Sequence, residues 1–358
     1  MNSGLRTDDL EYPFDPACIA TEPVEPRDAA KMMVYDRATD RVHHTRVAEL
    51  PQWLRRDDTL LVNRTKVSPA RLLMRREADG RSFEGLLATN TGDGVWLLLV
   101  KGARRLRQGD RLQLIDEKGR GGAWLLCKCK TAEGWLVKFD EGVLVQAALD
   151  HAGRTPLPPY IVKARHTHTH PDQFDRVRYQ TVYADDHHMH SVAAPTAGLH
   201  LTQGLLERIH QMGVRRQNIT LEVGLGTFQP IECEWLAHHA MHSERYEIEA
   251  EALDALRLFR STGTGRIVVV GTTTVRAVES LPEPLPLDAY AGVATMLIQP
   301  GHSFRHVSAL LTNFHLPRST LIALVAAFVG LDRLKQLYAI AQQQGYRFYS
   351  YGDCMLVV

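Results

Sequence analysis

The chain has 358 residues, of which 44% are hydrophobic and 23% charged. That composition excludes a wholly disordered polymer and leaves room for one large or two ordinary domains, each with its own core. The net charge of +1 hides an asymmetry: residues 65–155 carry 16 Lys and Arg against 11 Asp and Glu, the remainder 26 against 30. One segment is therefore basic and compatible with a docking polyanion.

The opening MNSGLRTDDLEYPFD has no apolar run of the signal-peptide kind. Five scattered cysteines, Cys18, Cys127, Cys129, Cys233 and Cys354, are too few for a disulfide framework and read as free thiols in a reducing compartment. From 60 to 150, short apolar runs such as VWLLLV, RLQLI and WLVKF alternate with the turns NTGDG, RQGD and EKGRGG. That spacing predicts a small antiparallel barrel or sandwich. Cys127 and Cys129 fall on one of these strands and read as packing residues. Residues 151–190 are rich in Pro, His and Asp and read as a long connection. After 200, helices and strands alternate. LTQGLLERIHQMG is a helix capped by Thr202 and stopped by Gly213, and QNITLEVG is a strand. EAEALDALRLFRSTG is a helix ending at Gly263, and GRIVVVG is a buried strand opening into the helix TTTVRAVESL. TMLIQPG is a further strand, and STLIALVAAFVG is a helix. This is α/β alternation, with apolar strands that ask for cover on both faces. The prediction is an α/β body built from both ends of the chain, 1–64 and 156–358, with an inserted antiparallel β-barrel at 65–155. The longest apolar run, LIALVAAFVGL at 321–331, is far short of the roughly 20 residues that span a bilayer. A cytoplasmic chain without membrane contact is expected.

Five stretches set polar groups among apolar ends of elements: APTAGLHLT (194–202), LEVGLGTFQP (221–230), HHAMHSERYE (238–247), VGTTTVRAVES (270–280) and LLTNFHLPRST (310–320). In open α/β sheets, ligands bind beyond the carboxyl ends of strands, where helix N-termini present free amides. The five turns are expected to converge on one pocket. Gly224 and Gly226 imply close backbone approach. They resemble the first motif of S-adenosylmethionine-dependent methyltransferases only weakly, because Phe228 stands where a small residue belongs and Pro230 blocks a helical turn. HTHTH (166–170) and DDHHMH (185–190) lack a closed ligand spacing, so no metal site is expected. Lys101, Arg104, Arg105 and Arg107 form the sharpest basic cluster. They are candidate phosphate contacts, and a solvated turn is the alternative.

Further strings run the length of the chain: EPVEPRDAAKMMVYDR (22–37), LLVNRTKVSPARL (60–72), PLPPYI (156–161), RYQTVYA (178–184) and YRFYSYGD (346–353). With the five stretches above, in this order and spacing, the sequence resembles the S-adenosylmethionine:tRNA ribosyltransferase-isomerases of queuosine biosynthesis. The resemblance implies transfer and isomerisation of the ribosyl part of S-adenosylmethionine onto 7-aminomethyl-7-deazaguanine at the wobble position of a tRNA with a GUN-type anticodon. Adenine and methionine are the other products. S-adenosylmethionine is then a substrate, no cofactor or metal is implied, and a monomer is expected. Such chemistry needs a base for the proton next to the sulfonium and an acid for departing adenine. His200, His242 and His315 are the proton-transfer candidates, with Glu244 and Asp353 as carboxylates. Phe228, Phe314 or Tyr351 would face the sulfonium, an attraction of roughly 0.5–2 kcal/mol. Arg71, Arg245 and Arg276 would hold carboxylate or phosphate. The remaining substrate-site candidates are Asn63, Thr196, Gly198, Glu222, Gly224, Gly226, Thr227, Thr272, Thr273, Thr274 and Asn313. Three positions depart from the family pattern: Glu222 for a usual His, Arg64 for Asn and His190 for Gly. They bear on the acceptor more than on the fold. The alternatives are a related transferase acting on a free base or other small amine, and a non-catalytic tRNA-binding protein.

Overall fold

A computed structural model of the chain describes residues 4–165, 170–188, 191–224 and 231–358. Three strands come first: β1 (Lys31–Asp36), β2 (Arg41–Arg46) and β3 (Thr59–Asn63). Seven follow: β4 (Arg71–Arg76), β5 (Ser82–Gly92), β6 (Val95–Val100), β7 (Arg111–Ile115), β8 (Gly121–Lys130), β9 (Trp135–Phe139) and β10 (Gly153–Arg154). The last six are β11 (Arg215–Leu221), β12 (Glu244–Ile248), β13 (Ile267–Val270), β14 (Tyr290–Ala294), β15 (Ala309–Asn313) and β16 (Cys354–Val357).

The first three and last six strands build one mixed sheet in the order β14-β12-β11-β3-β13-β15-β16-β1-β2. At its centre β11, β3, β13 and β15 run parallel. β3, β13 and β15 are buried along their whole length, which is why their sequences are unbroken apolar runs ending in a polar residue or glycine. Successive residues serve opposite faces: Leu61 and Val269 pack into one core, while Leu60, Val62, Val268 and Val270 pack into the other. The outer strand β12 alternates buried and exposed, as a half-covered antiparallel strand must.

The seven middle strands form a separate sheet, and the pairing of β4 with β7 closes six of them into an antiparallel barrel. Leu72, Leu98, Leu112, Leu125 and Val137 fill its interior. Closure leaves those six strands without a free edge.

Helix α1 (Val145–Ala152) follows the last barrel-closing strand, and α2 (Pro159–Ala164) and α3 (Asp172–Arg178) occupy the stretch 151–190 read as a long connection. Its prolines open helices instead of breaking them: Pro159 sits in the first turn of α2, and Pro171 precedes α3, where a missing N–H costs nothing. Arg165 and Asp175 tie the two together by a buried two-pronged ion pair at 2.7 and 2.8 Å.

The remaining helices are α4 (Gln203–Gln211), α5 (Ala250–Thr262), α6 (Thr272–Glu279), α7 (Thr320–Val329) and α8 (Leu331–Gln343). Thr202 caps α4 through the Leu205 amide, and Gly263 ends α5 in the left-handed region at φ +65°. The strand expected at TMLIQPG lies just upstream instead, at β14. The apolar run that follows is buried at Ile298 and pairs with no strand among the described residues.

Candidate active site

The carboxyl ends of β11, β13 and β15 meet on one edge of the sheet, and two helices start there. Gly271, at φ +92°, turns β13 into α6, a geometry that side chains other than glycine's resist. Ser319 caps α7 by accepting from the Ile322 amide. The first amides of both helices have no intrahelical acceptor and carry the positive end of the helix dipole. A cavity of about 270 Å³ lies between them. Thr272 and Thr273 of α6 line it, together with Ser319 and Leu321 at the start of α7. Ala194–Ala197 close one side and Val223 contributes from the end of β11. Thr312–Pro317 run along the floor, and Tyr160, Tyr349 and Ser350 form an aromatic, hydroxyl-bearing wall.

Asn313 is the hub of this arrangement. Its Nδ2 donates to the Tyr349 carbonyl (3.1 Å) and meets His200 Nε2 at 3.1 Å, while its Oδ1 accepts from the Thr196 hydroxyl (2.8 Å). Tyr349 is held at φ +71°, a strained backbone for a side chain of its size, costing about 1–3 kcal/mol. Strain of this order persists only where neighbours over-determine it, and the Asn313 bond to its carbonyl is one such constraint. Burial, reinforced by the guanidinium groups of Arg347 and Arg27, pushes the His200 imidazole down to about 4. His315, buried by the cavity floor, is pushed down to about 3 by desolvation. Its Nε2 lies 2.8 Å from the Thr312 hydroxyl, and its backbone is fixed by Tyr338 and Tyr12. Both imidazoles are neutral at pH 7.

The other expected residues fall in four places. His242 is exposed and is not among the described cavity-lining residues. Arg276 turns away from the cavity into a buried ion pair with Glu244 at 2.7 Å. It also donates to the carbonyls of Ala294, Met296 and His242, locking α6 to the outer strands. Removing one partner of such a pair typically costs about 3–5 kcal/mol. Thr274 points back to the Val270 carbonyl at 2.9 Å. A second group staples backbone. Asp353 accepts from the amides of Lys31 and Arg347, and Asn63 bridges β3 to Leu221 of β11. Tyr351 packs edge-on against Tyr179 and reaches Asp175.

Phe314 is fully buried with one face on the cavity. Gly198 lies where a Cβ would come within 1.9 Å of the Tyr183 hydroxyl, so any larger residue there must displace the Tyr183 ring. A Cβ on Gly224 would meet nothing within 4 Å among the described residues. The Glu222 amide donates to the carbonyl of Arg245, whose side chain is exposed. Arg64 pairs with Glu249 at 2.7 Å. The third group is on the barrel: Arg71 and Lys101 both pair with Glu84, whereas Arg104, Arg105 and Arg107 are exposed and make no ion pair among the described residues. Finally, His190, Gly226, Thr227 and Phe228 lie outside the described residues, as do the histidines at 166 and 168. Among the described residues no cluster of His, Cys, Asp or Glu is arranged to hold a metal, and no helix is long and apolar enough to cross a membrane.

Tyr160, Tyr349 and Ser350 were not singled out from the sequence. PLPPYI and YRFYSYGD are notable strings, but a tyrosine carries no sign that its backbone is left-handed.

A family model described as queuosine biosynthesis protein matches residues 7–357. The S-adenosylmethionine:tRNA ribosyltransferase-isomerase of Trichlorobacter lovleyi is 41% identical over 341 residues, 95% of this chain and 96% of that protein. The protein of the same name from Desulfitobacterium hafniense is 39% identical, covering 99% of this chain and 100% of its own. The crystal structure of an S-adenosylmethionine tRNA ribosyltransferase from Thermotoga maritima superposes with a TM-score of 0.54 at 32% identity, over 98% of this chain and 100% of that one. The matched span, the barrel joined to a mixed sheet and the full-length relatives agree: the chain belongs to the queuosine biosynthesis protein family.

Proposed function

We propose that this chain is an S-adenosylmethionine:tRNA ribosyltransferase-isomerase. It moves the ribosyl part of S-adenosylmethionine onto the aminomethyl nitrogen of 7-aminomethyl-7-deazaguanine at the tRNA wobble position. Adenine and methionine leave, and the tRNA carries epoxyqueuosine. The observation that carries this reading is the cavity between two helix N-termini at the carboxyl ends of parallel strands, in a chain related along its length to proteins of that name.

The amides opening α6 and α7 offer anion sites for the carboxylate of the methionine moiety. The rings of Tyr160, Tyr349 and Phe314 suit a flat base and a sulfonium. S-adenosylmethionine is consumed as substrate, and the reading calls on no further cofactor. Among the described residues His315 is the imidazole that lines the cavity, and it enters the reaction neutral. The barrel, residues 65–155, docks a tRNA with a GUN-type anticodon through Arg104, Arg105 and Arg107, while 1–64 and 156–358 form the catalytic unit. The enzyme works as a monomer in the cytoplasm. Neither a free-base transferase nor a binding-only protein is favoured, since the relatives share the transferase-isomerase name at nearly full length.

Chromatographic detection of adenine released from S-adenosylmethionine tests the reading. Release is expected only when tRNA bearing the aminomethyl base is present. Release with the free base alone, or none with the tRNA, contradicts it.

A further inference from the structure

The hydrogen-bond network behind the cavity has a fixed direction. The carbonyl of Tyr349 can only accept, so the Asn313 group 3.1 Å from it is the NH2. The same NH2 therefore donates its second proton to His200 Nε2, which must be the bare, accepting nitrogen of a neutral ring. Asn313 Oδ1 then faces the Thr196 hydroxyl at 2.8 Å, and since an amide oxygen only accepts, Thr196 donates its proton there. That leaves the Thr196 oxygen with lone pairs and no proton to offer. Thr196 is partly exposed and lines the cavity, whereas His200 is 4% exposed and is not among the described lining residues.

Resting on the reading of the cavity as the donor site, we infer that His200 is a positioning residue and not a proton carrier: through Asn313 it fixes Thr196 as a hydrogen-bond acceptor for a hydroxyl of the bound nucleoside. His200 Nε2 has its lone pair already engaged inside the network. A ring in that position can take up a proton only by giving up Asn313, which would free the Tyr349 carbonyl and reverse the Thr196 hydroxyl together. Burial and the two nearby guanidinium groups oppose that protonation. The ribose of a sulfonium nucleoside offers hydroxyl donors of the kind such an acceptor selects. A ligand group that can only accept would face the Thr196 oxygen without a proton between them, and would be rejected.

Two substitution pairs test this, with binding of S-adenosylmethionine measured by calorimetry and adenine release measured with modified tRNA. His200→Gln puts an amide oxygen close to where Nε2 stood and can still accept from Asn313, but it carries no titratable proton. It is expected to keep turnover within about tenfold of wild type with an unshifted pH–rate profile, whereas His200→Leu loses about a hundredfold or more. If His200→Gln is as inactive as His200→Leu, or if neither differs from wild type, the positioning role is overturned. Thr196→Val keeps shape and removes the acceptor. It is expected to weaken donor binding about tenfold, and Thr196→Ser is expected to restore it. Unchanged binding by Thr196→Val overturns the acceptor role. Should His200→Leu fail to fold, His200→Gln and the Thr196 pair decide alone. A wild-type protein that binds no S-adenosylmethionine would instead overturn the proposed function.

Discussion

At the residue scale, burial of imidazoles has a consequence for stability that acid will reveal. His200 and His315 are 4% and 8% exposed and titrate near 4 and 3 when folded, against 6.5 when free. Between those values the unfolded chain binds protons that the folded chain refuses, so stability is full above pH 6.5 and falls as pH drops. At pH 5 each imidazole should have cost about 2 kcal/mol relative to pH 7. Urea denaturation at the two pH values checks this: wild type should lose more stability than His315→Gln, and equal losses would contradict the burial of a neutral ring. The sequence revealed which stretches carry polar groups but not which way each group turns. Thr196, Thr272, Thr273, Asn313 and His315 line the cavity, while Glu244, Arg276, Asp353 and Asn63 face backbone or each other. A polar side chain amid apolar neighbours reads the same in either situation, because both satisfy the demand that buried polar atoms find partners.

At the element scale, the starts of α6 and α7 matter most. Ser319→Ala removes the cap of α7 and is expected to lower stability by about 1 kcal/mol, read as a fall in the denaturation midpoint. Among the described residues the atoms nearest a Cβ on Gly271 are 3.9 Å away, so Gly271→Ala fits the space, but it forces a side chain onto φ +92°. A loss of about 1–2 kcal/mol is expected from that backbone strain alone, together with weaker donor binding as the α6 amides shift. A Gly271→Ala protein of unchanged midpoint and donor affinity would contradict this. Helix ends were legible because Thr202, Gly263 and Ser319 sit at ends of clear apolar periodicity. TMLIQPG was not, since an apolar run buried without a ladder looks like a strand until its partners are known. The Pro-rich connection was misread for a related reason: proline before or at the first turn favours a helix, and only the hydrogen bonds downstream tell the two cases apart.

At the scale of the whole molecule, an acidic-leaning body carries a basic barrel. The barrel was foreseen from its turns, but its closure rests on β4 meeting β7, a non-local pairing that no local pattern announces. Replacing Arg104, Arg105 and Arg107 together by Ala should weaken tRNA binding and flatten its dependence on log salt by up to about 2–3, at roughly 0.7–0.9 per lost phosphate contact. Affinity for S-adenosylmethionine should not move. Filter binding across a salt series measures both effects, and an unchanged salt slope would take this loop out of the tRNA interface. A crystal structure of the chain with S-adenosylmethionine shows whether the cavity holds the nucleoside. The nucleoside is expected between Thr272–Thr273 and the Tyr160–Tyr349 wall, with a ribose hydroxyl on Thr196. Ligand bound instead in the polar groove of Lys66, Thr155 and Arg176 would contradict that placement.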